Sequence, residues 1–171
     1  MAQVARHGFH MNILACDPYI TEARAQHFNA ELVDLETLLR RSDIVTVHVP
    51  LNSETRHMIG DKELSLMKPT AIFVNTARGP VVQEEALIAA LQERRISGAC
   101  LDVYETEPLP VDSPLRSLEN VVTTPHIGST PGILVKMREI AVWNVIRVVK
   151  GQQPMNIQTP KVYYTSHKWI T

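Results

Sequence analysis

Cysteine is scarce in this chain, with only Cys16 and Cys100 in 171 residues and no CxxC spacing. A disulfide framework and Cys-rich zinc sites are therefore excluded, and both thiols are expected to be buried in their apolar runs. An excess of charge is missing too: 17 Lys+Arg stand against 18 Asp+Glu, for a net charge of -1, without a basic block. Such a balance leaves no electrostatic footprint for nucleic acid or a membrane surface. Long uninterrupted apolar runs are also lacking. The nearest approach, Ile133 to Val149, is broken by Lys136, Arg138, Glu139, Asn144 and Arg147, so it does not read as a membrane span. The opening Met-Ala-Gln-Val-Ala-Arg-His lacks the apolar centre of a secretory signal, and a reducing cytoplasm is the expected compartment. His7, His10, His27, His57 and His167 show no ligand spacing with Cys, Asp or Glu, so no metal is expected. Finally, the seven glycines, at 8, 60, 79, 98, 128, 132 and 151, form no GxGxxG.

What is present is a globular composition, 44% hydrophobic and 20% charged, in a length that suits one domain with a tail. Short apolar runs alternate with helical patterns. Strands are expected at Asn12 to Cys16, Ile44 to Val49, Ala71 to Asn75, Gly98 to Val103 and Val121 to Thr124. Helices are expected at Thr21 to Phe28, Asp34 to Arg41 with Asp34 as N-cap, Asp61 to Met67, Gln83 to Arg95 and Pro131 to Lys150. Strands of this kind between helices imply a parallel sheet covered on both faces, wound by right-handed crossovers into a doubly wound α/β domain. Ligands bind such sheets outside the carboxyl ends of the strands. The positions to search are then Asp17, His48-Val49-Pro50, Asn75 to Gly79, Asp102 and Thr124-Pro125-His126.

An acid at the end of an early strand, as Asp17 is, suits the ribose hydroxyls of a dinucleotide and repels the extra phosphate of NADP. Asp before Pro is equally an ordinary turn starter. Arg78, Glu107 and His126 form the stronger set. A guanidinium fork binds a carboxylate and polarises a neighbouring carbonyl. A histidine can protonate an alkoxide as it forms, and a carboxylate beside that histidine orients it and keeps its proton at hand. Taken singly, each has an ordinary structural reading: a salt-bridged arginine at a helix start, a solvated glutamate, a loop histidine. Trp143 and the apolar residues of the last helix read as core or subunit contact.

In the order VNTARGPVV, LDVYETEPL and TTPHIGS, with SDIVTVHVPLNSETRHMIG and MKPTAIFVNTARG in support, the chain resembles the D-isomer-specific 2-hydroxyacid dehydrogenases over roughly Ala2 to Asn156. The resemblance implies a Rossmann-like NAD-binding domain over 1–156 with a C-terminal tail over 157–171. It further implies Arg78 as the substrate-binding arginine, His126 as the acid/base and Glu107 as its partner. Asp102 would bind the nicotinamide carboxamide and Asp17 the adenosine ribose. Val49, Pro50, Thr76, Ala77 and Gly128 would line the cofactor groove with Arg78 and His126. The implied reaction is reversible hydride transfer between NAD and a D-2-hydroxy acid, and the implied assembly a homodimer.

The glycine loop should stand about 20 residues before the ribose-binding acid, which for Asp17 falls at or before Met1. Ala2 to His10 reads as the back of the helix that such a loop opens. The expectation is an incomplete domain, without its first strand and glycine loop, and without the substrate domain that precedes it in the family. Alone it should bind NAD weakly and turn over little. The alternative is a non-catalytic interaction module of the same fold, like the C-terminal-binding corepressors, or an inactive fragment.

Overall fold

The computed structural model describes residues 1–128 and 131–156. These fall into two compact units, Met1–His126 and a second beginning at Ile127. The tail expected at 157–171 lies outside the described residues, as does His167.

The first unit alternates helices and strands: α1 (Ala2–Phe9), β1 (Ile13–Ala15), α2 (Glu22–His27), β2 (Ala30–Leu32), α3 (Leu35–Arg41), β3 (Ile44–Val47), α4 (Asp61–Leu66), β4 (Ile72–Asn75), α5 (Glu84–Gln92), β5 (Gly98–Leu101) and β6 (Val121–Thr123). Local chemistry sets several boundaries. The Thr21 hydroxyl accepts from the Arg24 amide to start α2, and Asp34 Oδ1 accepts from Thr37 N at 2.8 Å to start α3. His10, at φ 55°, closes α1, and the next amide, Met11 N, donates back to Ala5 O at 3.1 Å. Helix α5 stops at Gln92, short of the expected Arg95, and Arg94 turns into the left-handed region at φ 56°. Strand β2 has no counterpart among the expected elements. Its three residues, Ala-Glu-Leu, carry no β-branched side chain, and only pairing with β1 makes them a strand.

All strand pairs are parallel. They make two sheets, β1-β2 and β3-β4-β5-β6. These are the two flanks of a doubly wound order, and no described residue supplies the strand that such an order puts between them. β1 and β3 accordingly each keep one edge without a partner strand among the described residues.

The larger sheet buries one face. Val45, Val47, Phe73, Ala99 and Leu101 join Leu64, Leu87, Ala90 and Leu91 of α4 and α5 in a single apolar cluster, with Phe73, Leu64, Ala90 and Leu91 fully sealed. The expectation of two covered faces is corrected here. Ile44 (44% exposed), Ile72 (38%) and Val122 (62%) project from the opposite side. Successive right-handed crossovers that advance in one direction, from β3 through β4 to β5, place α4 and α5 on the same face.

The same geometry corrects the cysteines. Cys100 pairs in register with Val74 on the less covered face and is only half-buried, while Cys16 lies just past β1 and is exposed. Both are free thiols. Partial burial, then the charges of Asp34 and Asp17, push the Cys16 thiol up.

The second unit carries α6 (Pro131–Val149). After the helix the chain folds back on it: Arg147 Nε donates to Gln153 O at 2.7 Å, and Met155 N to Asn144 Oδ1 at 2.8 Å. Trp143 is 57% exposed on this helix, which puts it outside any core formed by the described residues. No described helix is long and apolar enough to cross a membrane.

Candidate active site

The carboxyl ends of β4, β5 and β6 carry the polar residues of interest, because parallel pairing brings three strand ends to one edge of the sheet. β4 ends in Asn75, a polar side chain only 2% exposed. Both ends of its amide are bonded. Nδ2 donates to Arg78 O and Oδ1 accepts from Ala77 N, each at 3.0 Å. This clamp shapes the Thr76-Ala77-Arg78 turn and projects Arg78 outward. Thr76 and Arg78 are exposed, Ala77 half-buried, and the Arg78 guanidinium also donates to Ala77 O.

From β5 the chain runs through Asp102 and Tyr104 to Glu107. Asp102 is 6% exposed, and its carboxylate accepts from the Thr124 hydroxyl at the end of β6. Buried Tyr104 supplies the second tie between these strand ends, its hydroxyl shared between Leu101 O at 3.0 Å and Thr124 O at 2.8 Å. Burial pushes this phenol up, so it stays a donor. Two residues beyond Thr124, His126 adopts φ 53°. Its Nδ1 meets Glu107 Oε2 at 2.8 Å.

Glu107 is the meeting point. Its Oε1 accepts from Tyr104 N at 3.1 Å. The hydrogen bond from His126, then that from the Tyr104 amide, then the positive charges of His126 and Arg78, hold its carboxyl below the ordinary carboxylate range. The geometry joins Glu107 to His126, while Arg78, whose guanidinium is bonded to Ala77 O, acts on Glu107 through its charge.

A depressed carboxyl pKa stabilises the fold above the unfolded value and is lost as pH falls through the folded one. The stability difference between wild type and Glu107→Gln should thus be constant near neutrality and shrink below about pH 4. Thermal melts at stepped pH check this; a difference that grows on acidification contradicts it.

The remaining expected positions are less gathered. Asp17 is exposed just beyond β1, with Oδ1 accepting from Tyr19 N at 2.8 Å in a local turn. Val49 is half-buried and Pro50 exposed after β3, where Pro50 O accepts from the Thr55 hydroxyl at 2.6 Å. His48 Nε2 lies 3.1 Å from the Thr46 hydroxyl, and burial, followed by the Met1 amino charge, lowers its pKa. Gly128 belongs to the second unit. Sequence reading passed over Asn75 and Tyr104 as individual contributors. The available signal was Asn75 itself, a polar residue closing an apolar strand. Tyr104 carried none, since its partners are backbone carbonyls.

Residues 1–128 match the model of the D-isomer specific 2-hydroxyacid dehydrogenase, NAD binding domain. The chain belongs to this family. Glyoxylate/hydroxypyruvate reductase B of Enterobacter agglomerans is 49% identical over 163 residues, covering 95% of this chain and 50% of that protein. Among solved structures, the holo form of Rhodotorula graminis D-mandelate dehydrogenase superposes with a TM-score of 0.84 at 37% identity, over 91% of this chain and 46% of that one. A D-isomer specific 2-hydroxyacid dehydrogenase from Xanthobacter autotrophicus Py2, in complex with NADPH and MES, gives 0.74 at 38% identity, over 93% and 64%. The chain spans about half the length of the curated relatives it matches. The matched residues include the parallel sheets and the Glu107–His126 pair.

Proposed function

We propose that this chain carries the cofactor-binding and acid/base half of an NAD-dependent D-2-hydroxyacid dehydrogenase. The observation that carries the reading is the His126–Glu107 hydrogen bond beside the charge of Arg78. With Nδ1 held by Glu107, Nε2 is the ring atom left to exchange a proton with the substrate oxygen. Arg78 holds the carboxylate of a 2-oxo acid and draws charge from its carbonyl. Glu107 fixes the imidazole through the 2.8 Å contact at Nδ1 and so sets the direction in which Nε2 faces the substrate.

The residues fit a dinucleotide at its two ends. Asp17 keeps one carboxylate oxygen beyond its turn bond for ribose hydroxyls, and Asp102 stands at a strand end suited to a carboxamide. Val49, Pro50, Thr76 and Ala77 supply the strand-end backbone along which it would lie. No GxGxxG occurs among the 171 residues. When bound, the reduced nicotinamide supplies the hydride. NADH oxidation by the full chain at saturating cofactor, with glyoxylate and hydroxypyruvate, tests the reading; no oxidation with either favours the alternatives, an interaction module or an inactive fragment.

Preference for NAD over NADP belongs to the same proposal, on the charge of Asp17. Its carboxylate repels a ribose 2′-phosphate. Asp17→Ala is expected to narrow the NADH/NADPH ratio of kcat/KM by about tenfold, an electrostatic difference of about 1.4 kcal/mol. An unchanged ratio removes Asp17 from cofactor choice. A homodimer is part of the proposal as well, with sedimentation velocity as its check, and the two free thiols suit a reducing cytoplasm.

A further inference from the structure

Beside the Glu107–His126 pair lies a second contact of the same type that the reaction does not use. His57 Nε2 meets Glu105 Oε1 at 2.7 Å, two residues before Glu107. The same Oε1 accepts from Glu84 N at 3.2 Å, and Glu105 N donates to Glu84 Oε2 at 3.0 Å. Both glutamates are thus cross-bonded through each other's backbone, with His57 donating to the shared oxygen. His57 is itself anchored to the Arg78 turn, since its amide donates to Pro80 O at 2.8 Å.

These bonds connect three segments: the His57 loop, the Arg78-Gly79-Pro80 turn leading to α5, and the Tyr104 to Glu107 loop after β5. Gly79 lets two of them touch at backbone level. A Cβ at Gly79 would fall 1.8 Å from Tyr104 O and 1.9 Å from its carbonyl carbon. The turn bearing Arg78 and the loop bearing Glu107 therefore meet without an intervening side chain, and the glutamates fasten the contact on one side.

We propose that Glu105 is a positioning residue: with His57 and Glu84 it locks the Arg78 turn to the Glu107 loop and so sets the spacing between substrate anchor and acid/base pair. The inference rests on the proposed dehydrogenase function. Glu105 is one-third exposed, so its replacement leaves the apolar core intact. Its backbone is not in the left-handed region that His57 occupies at φ 53°, which makes it the cleaner residue to change.

The test compares Glu105→Ala with Glu105→Gln in the full chain. Gln keeps a side-chain oxygen that accepts from His57 and Glu84 N; Ala keeps none. Glu105→Ala should raise KM for glyoxylate about tenfold with KM for NADH unchanged, a modest displacement of a binding group. Amide exchange at His57, Val82 and Glu84 should quicken together in Glu105→Ala, and Glu105→Gln should restore both readouts toward wild type. Equal behaviour of the two variants, or exchange that quickens without a change in the glyoxylate KM, overturns the proposal. A wild-type chain that does not oxidise NADH favours the non-catalytic alternatives to the functional reading and says nothing against the lock. In that case the exchange comparison still judges the lock between the loops, and unchanged exchange in Glu105→Ala overturns it.

Discussion

His126→Asn is expected to lower kcat for 2-oxo acid reduction by roughly 10²- to 10⁴-fold, the usual contribution of a positioned general acid. Asparagine is the informative replacement for two reasons. His126 sits at φ 53°, a left-handed conformation that asparagine tolerates better than most residues. Its side-chain amide can also donate to Glu107 in place of Nδ1, which keeps the loop fixed while removing the transferable proton. The thermal midpoint should therefore stay close to wild type. A variant that keeps most of its kcat refutes His126 as the acid. One that loses kcat and melts early points to a structural role, and only loss without melting supports the mechanism.

Gly79→Ala should have the largest effect on the fold. The added methyl carbon would lie 1.8 Å from Tyr104 O and 2.5 Å from Glu105 N, where ordinary contacts begin well beyond 3 Å. The obstacle is backbone, so no rotamer change can relieve it. Either the Arg78 turn or the Tyr104 to Glu107 loop must move. Overpacking of this severity costs roughly 3 kcal/mol, and separating the two loops should cost roughly 10²-fold in kcat/KM for the 2-oxo acid. Urea denaturation and steady-state kinetics read the two losses independently. Wild-type stability in Gly79→Ala would mean that the loops do not approach this closely in solution.

These two predictions probe different sources of information. The pairing of His126 with Glu107 was expected from the stretches that resemble the family, and the structure brings these two side chains together. The element pattern was legible as well: Asp34 caps α3 as expected, and β3 and β4 are rich in the β-branched residues that favour strands. The Gly79 requirement was not legible, since its partner, Tyr104, is distant in sequence and contributes a main-chain oxygen. Strand β2 escaped for a related reason: its identity comes from pairing with β1, not from its own three residues. The burial of Cys16 and Cys100 was misjudged because an apolar neighbourhood in sequence does not say which sheet face receives a helix.

The sequence by itself determined the class of fold, the strand ends that matter and the chemical character of the residues placed there. Periodicity, capping and residue type are local properties, and they survive without knowledge of the tertiary structure. Only the tertiary structure decided that His126 Nδ1 reaches Glu107, that Asn75 and Tyr104 hold the surrounding turns, and that Glu105 joins His57 to Glu84. It also decided that one face of the larger sheet stays open at Ile44, Ile72 and Val122, and that the strands divide into two sheets. Contacts of this kind depend on angles and distances between elements remote in sequence, where a displacement of 1 Å breaks a hydrogen bond without altering a single residue.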